Sequence, residues 1–130
     1  GTLSGNPLAM AAGLAQLREM ERIGGWKLLD ELGAEFEQGV RRTLSRLKLP
    51  YNFQRIGSMF CLYFTEGQVH DLASAQRSDK ASFSKFFHGC RKKGVYFAPS
   101  QFEAGFLCTG HTGLDLSDTE RITSSVLESL

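Results

Sequence analysis

The sequence predicts an α+β domain in which a small, mainly antiparallel sheet packs on helices. Two amphipathic helical patterns come first, and two neighbouring apolar β segments follow them. Two more helical patterns are then separated by short β segments. Because the helical runs and the strand runs are segregated along the chain, one small sheet covered by helices is the expected architecture.

The first helix is predicted to begin at Pro7 and to continue through the strong helix formers of residues 9–22. Asn6 is a good N-cap, and Pro7 suits the first helical position, where its missing N–H would have no partner in any case. Gly24 and Gly25 should end the helix. The apolar side chains expected on one face are Leu14, Leu17 and Met20.

A second helix is predicted over residues 26–47, and Pro50 should stop it. Apolar residues recur there at steps of three and four, which is typical of an amphipathic helix. They are Leu29, Leu32, Phe36, Val40, Leu44 and Leu47.

Residues 51–64 predict two strands separated at Gly57. Residues 59–64 are apolar on both alternating faces, as in a strand that is covered on both sides. Residues 65–77 should be a polar connection. Ser78 or Asp79 should cap a third helix that Gly94 closes. Its apolar face carries Phe83, Phe86, Phe87 and Cys90.

Three short β segments are predicted next, over residues 95–97, 101–102 and 105–109. The pattern Ser-Asp-Thr-Glu at residues 117–120 predicts a capping box that opens the last helix. The buried face of that helix should carry Ile122, Val126, Leu127 and Leu130.

Composition excludes several classes of protein. The 130 residues suit a single domain, and 42% hydrophobic residues can build a core without a disulfide or a metal. A net charge of +1 argues against a nucleic-acid partner. Neither a membrane span nor a secretory signal is predicted. Scattered cysteines (Cys61, Cys90, Cys108) fit a reducing compartment. Since the chain starts with Gly1 rather than Met, we expect a piece of a longer polypeptide.

Residues 1–7, Gly-Thr-Leu-Ser-Gly-Asn-Pro, form a loop of small and hydroxyl-bearing residues that leads into a helix N-terminus. Unpaired backbone N–H groups, hydroxyl donors and the helix dipole together favour binding of a phosphate. The alternative is that Ser4 and Asn6 only cap the helix. A nucleotide-triphosphate loop is not expected, because the spacing and the lysine of that motif are missing.

Glu103 is a second candidate site residue, because it lies among aromatic and small residues where an unpaired carboxylate is costly. It either points into a site or reaches solvent or an arginine from the edge of a hairpin. The histidines, His70, His88 and His111, are far apart in sequence, so a metal site is not predicted.

These motifs resemble one family along essentially the whole chain. The loop over residues 1–7 is similar to the one that follows the catalytic lysine in class III aminotransferases. Residues 57–60, 64–67 and 78–112 resemble the glutamate-1-semialdehyde 2,1-aminomutases within that class. The stretch Tyr-Phe-Ala-Pro-Ser-Gln-Phe-Glu at residues 96–103 is the most specific of these motifs.

The resemblance implies the C-terminal small domain of a fold-type I homodimer that uses pyridoxal phosphate or its amine form. It implies residues 1–7 as the cofactor-phosphate loop, residues 8–48 as a helical segment leading to the large domain, and residues 51–130 as the small domain. Thr2, backed by the backbone of Gly1 and Leu3, would bind the cofactor phosphate across the dimer interface. Glu103 would lie near the substrate, at the entrance of a site that converts glutamate 1-semialdehyde to 5-aminolevulinate for tetrapyrrole synthesis.

One departure concerns catalysis. The family's Schiff-base lysine lies upstream of the Gly-Thr motif, so this chain should contain no catalytic residue and should bind no cofactor by itself. The lysines present, all in other contexts, are Lys27, Lys48, Lys80, Lys85, Lys92 and Lys93.

Two alternatives stay open. The first is that the chain belongs to another class III aminotransferase, and the second is that it is a non-catalytic, stand-alone interaction domain. A domain that lacks its partners should expose apolar side chains, and Phe97, Phe102 and Phe106 are the candidates. The expected partners are the missing large domain, a second subunit and a small-molecule substrate. The expected location is the cytoplasm, or the plastid in a plant or alga.

Overall fold

The computed structural model describes residues 1–130 and contains five helices and one three-stranded sheet. The helices are α1 (Pro7–Arg22), α2 (Gly25–Leu47), α3 (Leu72–Ala75), α4 (Lys80–Lys92) and α5 (Gly113–Leu127). The strands are β1 (Asn52–Ile56), β2 (Met59–Tyr63) and β3 (Gly105–Phe106). The predicted α+β class with a small antiparallel sheet is confirmed. No helix has both the length and the apolar character that a membrane span requires.

Helix α1 begins as predicted. The Asn6 side chain accepts a hydrogen bond from the backbone N–H of Ala9 at 3.1 Å, and Pro7 occupies the first turn. Of the three residues expected on a shared apolar face, only Met20 is buried, and it lies beside Gly25. The N-terminal half of α1 therefore makes little contact with the rest of the chain.

Helix α2 is the central helix of the domain. It ends at Leu47, where Lys48 adopts a left-handed conformation with φ of 53° and the N–H of Leu49 bonds to the carbonyl of Leu44 at 3.0 Å. The helix thus stops before Pro50 is reached, and that proline only prevents its continuation.

Strands β1 and β2 form a hairpin whose turn contains Gly57, with φ of 56°. The sheet order is β1-β2-β3, and Met59 pairs with Phe106. One face of the sheet packs against α2, while α4 and α5 complete the core. The core cluster consists of Phe36, Val40, Leu44, Phe53, Phe64, Phe86, Cys90, Leu116, Ile122, Val126 and Leu127.

Two of the predicted β segments are wrong. Residues 95–97 are not a strand, because the N–H of Val95 bonds to the carbonyl of Cys90 and continues the end of α4. Residues 101–102 lie in a turn, and the Gln101 side chain rather than its backbone pairs with β2. The third segment is reduced to β3, because the N–H of Cys108 bonds instead to His111 Nδ1.

The predicted start of the last helix is also wrong. Helix α5 begins about one turn earlier, with Thr112 as N-cap and Asp115 completing a capping box. Residues 117–120 lie inside the helix. The earlier start allows Leu116 to enter the core, whereas Leu130 lies beyond the helix and is exposed.

Three further predictions concern the connection over residues 65–77, the cap of α4 and the exposed aromatic residues. The connection over residues 65–77 contains the short helix α3, which Asp71 and Ser74 cap reciprocally. Asp79 rather than Ser78 caps α4. Of the aromatic residues expected at the surface, Phe102 and Phe106 are exposed, but Phe97 packs against the core.

Candidate functional site

The loop over residues 1–6 is a series of turns closed by its own backbone. The N–H of Ser4 bonds to the carbonyl of Gly1 at 3.0 Å, and the N–H of Asn6 bonds to that of Leu3 at 3.1 Å. Gly5 has φ of 75°, a conformation that residues with a side chain rarely adopt. The loop thus holds Thr2 and Leu3 at its exposed tip, just before the N-terminus of α1.

This loop offers hydrogen-bond donors that nothing in the chain satisfies. The N–H groups of Thr2, Leu3 and Gly5 have no acceptor in the structure, and the Thr2 hydroxyl is exposed. Such donors before a helix N-terminus fit the phosphate of a cofactor. The first cationic side chain is Arg18, so any positive charge beside the phosphate must come from elsewhere. The loop therefore fits one part of a phosphate site and does not complete one.

Glu103 lies in the turn that precedes β3. Its N–H bonds to the carbonyl of Ser100 at 3.1 Å, while its side chain is exposed and makes no ion pair. The structure therefore excludes contact of Glu103 with an arginine, which was one part of the second interpretation. The carboxylate is free to meet a ligand or solvent.

Gln101 anchors the turn that carries Glu103. The sequence did not predict this role. Its side chain is 3% exposed, donates to the carbonyl of Leu62 at 2.8 Å and accepts from the N–H of Phe64 at 3.3 Å. One amide thus replaces a strand partner along the edge of β2 and fixes the turn that carries Glu103. The sequence signal was a glutamine within an aromatic stretch, but its partners are almost forty residues away.

Cys61 of β2 contacts the same turn. Its thiol lies 3.7 Å from the carbonyl of Gln101 and 3.9 Å from that of Glu103. Burial raises the pKa of the Cys61 thiol, which opposes a reactive thiolate. The adjoining apolar cleft, of about 40 Å³, has room for a few water molecules but not for an amino-acid substrate.

A charged cluster holds the hairpin against α2. Arg55 donates to Glu37 at 2.9 Å, to Asp30 at 2.6 Å and to the carbonyl of Gly57 at 2.7 Å. Arg41 donates to Glu37 at 2.8 Å. Burial alone would raise the pKa of Glu37, but the hydrogen bonds from Arg55 and Arg41 outweigh it and lower that pKa. The cluster therefore has a structural role.

The structure does not bring the two candidate regions together. No hydrogen bond or ion pair joins the loop over residues 1–6 to the turn that carries Glu103. The loop and α1 contact the rest of the chain through α2. No group of three possible ligands is arranged to hold a metal ion. A single site containing both Thr2 and Glu103 would need further polypeptide.

Known proteins with similar sequences indicate the family of the chain. No family model matches the chain. A glutamate-1-semialdehyde 2,1-aminomutase of Akkermansia muciniphila is 52% identical over 92% of the chain. Those of Thermus thermophilus and Thermodesulfovibrio yellowstonii are 47% and 40% identical over 92% and 100% of the chain. The chain is homologous to one segment of the glutamate-1-semialdehyde 2,1-aminomutases. It spans 28% to 30% of the length of these relatives.

Solved structures support the same fold. A glutamate-1-semialdehyde aminomutase of Pseudomonas aeruginosa in complex with PMP aligns with a TM-score of 0.73 at 22% identity, over 82% of this chain and 24% of that one. An omega-transaminase of Sphaerobacter thermophilus aligns with a TM-score of 0.78 at 21% identity, over 95% and 28%. The predicted fold of a domain from a PLP-dependent transferase is confirmed. The roles of Thr2, Gly1, Leu3 and Glu103, and the division at residues 7, 48 and 51, stay predictions.

Proposed function

We propose that the chain is the C-terminal part of a pyridoxal-phosphate-dependent aminomutase that converts glutamate 1-semialdehyde to 5-aminolevulinate for tetrapyrrole synthesis. The observation that carries the proposal is identity of 40% to 52% with aminomutases over nearly the whole chain. The omega-transaminase resembles the chain in fold alone, so it favours no competing activity. The 130-residue chain by itself is inactive under this proposal.

Thr2 has the role of a phosphate-binding residue. Its hydroxyl donates to the cofactor phosphate across a homodimer interface, supported by the backbone of Gly1 and Leu3. The free N–H groups of the loop and its lack of any cation agree with a site that is shared between polypeptides. When bound, pyridoxal phosphate supplies the electron sink that amino-group transfer requires.

Glu103 acts on the substrate side of the same site. An exposed, unpaired carboxylate held in place by Gln101 can attract the amino group of a diamine formed between the two halves of the reaction. This attraction retains the intermediate until the second amino transfer is complete. It explains why a carboxylate is useful at a point where the fold gives it no partner.

The lysine that carries the cofactor lies outside this chain. All six lysines of the chain are exposed, and the family resemblance places the Schiff-base lysine upstream of the Gly-Thr motif. The three free cysteines suit a reducing compartment, and we place the enzyme in the cytoplasm or the plastid. No nucleic-acid or membrane partner forms part of the proposal.

A hybrid enzyme tests the proposed activity. The chain replaces its matching segment in the Thermodesulfovibrio yellowstonii aminomutase, because that match covers all 130 residues. The hybrid should form 5-aminolevulinate from glutamate 1-semialdehyde without an external amino acceptor. If it folds and binds the cofactor but needs an external acceptor, the chain comes from another class III aminotransferase. A folded hybrid that shows neither reaction would identify a non-catalytic domain.

Two substitutions in the hybrid test the site residues. Thr2→Val should weaken cofactor binding by about tenfold, as expected for loss of one hydrogen bond to a charged group, whereas Ser4→Ala should leave binding unchanged. Glu103→Gln should release more diamine during turnover while cofactor binding stays constant. Unchanged diamine release would remove Glu103 from the proposed site.

A further inference from the structure

Thr123 is a polar residue on the buried face of α5. It lies three residues before Val126 and four before Leu127, and both of these belong to the core cluster. The Thr123 side chain is 2% exposed, and its hydroxyl oxygen makes no hydrogen bond within the chain. Two other buried polar side chains, those of Ser74 and Gln101, bond to neighbouring residues. Since buried polar groups in folded proteins are almost always hydrogen-bonded, the Thr123 hydroxyl should have a partner that is not an atom of the chain.

The space for this partner is the apolar cleft that adjoins the turn carrying Glu103, because Thr123 is one of the residues that line it. The cleft has a volume of about 40 Å³, and one water molecule needs about 10–15 Å³ measured in the same way. Volume alone does not decide whether water enters, since apolar cavities stay dry. A water molecule in this cleft needs further polar groups besides the Thr123 hydroxyl.

The backbone of Phe97 and Ala98 supplies such groups. Both residues line the cleft and are half-buried. They lie outside the sheet, and their backbone N–H and C=O groups make no hydrogen bond within the chain. A buried water molecule typically makes about three hydrogen bonds. The Thr123 hydroxyl and the backbone of these two residues therefore offer the set of partners that one water molecule requires.

We propose that Thr123, Phe97 and Ala98 form a binding site for an ordered water molecule within the cleft. The water links α5 to the segment that leads into the turn carrying Glu103. It takes the place of a partner strand for this segment, because a hydrogen bond through water is nearly as favourable in enthalpy as a direct one. The proposal concerns the core of the chain and does not depend on the proposed function.

Oxygen-17 magnetic relaxation dispersion on the 130-residue chain tests the site, because it counts long-lived internal water molecules. Thr123→Val keeps the shape of the side chain without the hydroxyl and should lower the count by about one. Thr123→Ser keeps the hydroxyl and should not lower it. Ser78→Ala is the matched control, because Ser78 has a buried hydroxyl without a partner but does not line the cleft. An unchanged count in Thr123→Val, or an equal loss in Ser78→Ala, would overturn the proposal.

Stability gives a second readout, in which the sign of the change matters. With water bound, Thr123→Val removes a hydrogen bond and should lower the equilibrium constant for folding about fivefold. In a dry cleft the same substitution would raise that constant, because it removes a buried hydroxyl that has no partner. A lower constant with an unchanged water count would indicate a hydrogen bond from Thr123 to the carbonyl of Thr119, one turn earlier in α5. Either of these last two results would overturn the proposal.

A crystal structure of the chain tests the link itself. The water oxygen should lie about 2.7–3.2 Å from Thr123 Oγ1 and from a backbone nitrogen or oxygen of Phe97 or Ala98. Water that contacts Thr123 alone would leave α5 and the segment unconnected, which would overturn the linking role.

Discussion

Helices α1 and α2 are neighbours along the chain, yet only α2 buries most of its apolar face within the chain. Phe36, Val40 and Leu44 of α2 are 3%, 1% and 6% exposed, whereas Met10, Leu14 and Leu17 of α1 are each at least half exposed. Periodicity therefore predicts that a helix has an apolar face but not what covers that face. The contrast separates a core that is covered within the chain from a helix whose apolar side chains the chain leaves exposed.

The largest expected effect compares one deletion in each region. Phe36→Ala removes a ring that lies 5.0 Å from Phe60 and 6.0 Å from Phe53, and it should lower the free energy of unfolding by about 3–5 kcal/mol. Leu14→Ala should change it by less than about 0.5 kcal/mol, because Leu14 packs on little in this chain. Urea unfolding measures both, and similar losses would contradict the comparison.

Glycine-to-alanine substitutions extend the comparison, because the same change should destabilise α2 but stabilise α1. A methyl group on Gly33 of α2 would meet the carbonyl oxygen of Gly57, so Gly33→Ala should destabilise the domain by about 1–3 kcal/mol. Gly13 of α1 has no atom near such a methyl group, so Gly13→Ala should stabilise α1 by about 0.5–1 kcal/mol. Calorimetry measures the stability of both variants, and helical ellipticity measures the helix content of the Gly13→Ala variant. A loss of stability in Gly13→Ala would contradict the absence of contacts at Gly13.

Two glutamines provide the next test. Gln101→Leu leaves the carbonyl of Leu62 and the N–H of Phe64 without their partner, and it should cost about 1–3 kcal/mol of unfolding free energy. Gln16→Leu, on the exposed surface of α1, should stay within about 0.5 kcal/mol. Chemical denaturation distinguishes them. Equal stability of the two variants would show that Gln101 does not anchor the turn.

The smallest expected effect is the response of the charged cluster to acid. The pKa of Glu37 is lowered from its ordinary value of 4.5 in the folded chain, so the unfolded chain binds a proton more readily. The stability from Glu37 is therefore complete above about pH 4.5 and is lost as the pH falls through the lower folded value. Glu37→Gln should flatten the pH dependence of unfolding free energy in this range. An unaltered slope would remove Glu37 as its cause.

Elements fixed by local chemistry could be predicted from the sequence. The Asn6 cap, the boundaries of α2 and the hairpin turn at Gly57 depend on residues adjacent in the chain. The start of α5 was mispredicted because the sequence contains two neighbouring capping patterns, one that begins at Thr112 and one that begins at Ser117. Burial of Leu116 selects the earlier one, and that burial depends on packing far along the chain.

The candidate site was predictable only in part. Local composition indicated an anion-binding loop at residues 1–7, but the specific roles of Thr2 and Glu103 came from the family resemblance. The anchoring role of Gln101 was not predicted because its partners, Leu62 and Phe64, lie almost forty residues earlier in the chain. Local sequence also could not show that the loop and Glu103 stay apart within these 130 residues.

Amide hydrogen exchange on the isolated 130-residue chain tests the central comparison most directly. Amides of Phe36, Val40 and Leu44 should exchange slowest, near the limit set by global unfolding, while those of residues 10–17 should exchange at least a hundredfold faster through local opening. Equal protection in the two helices would show that α1 is as stable as the core, which would contradict the comparison.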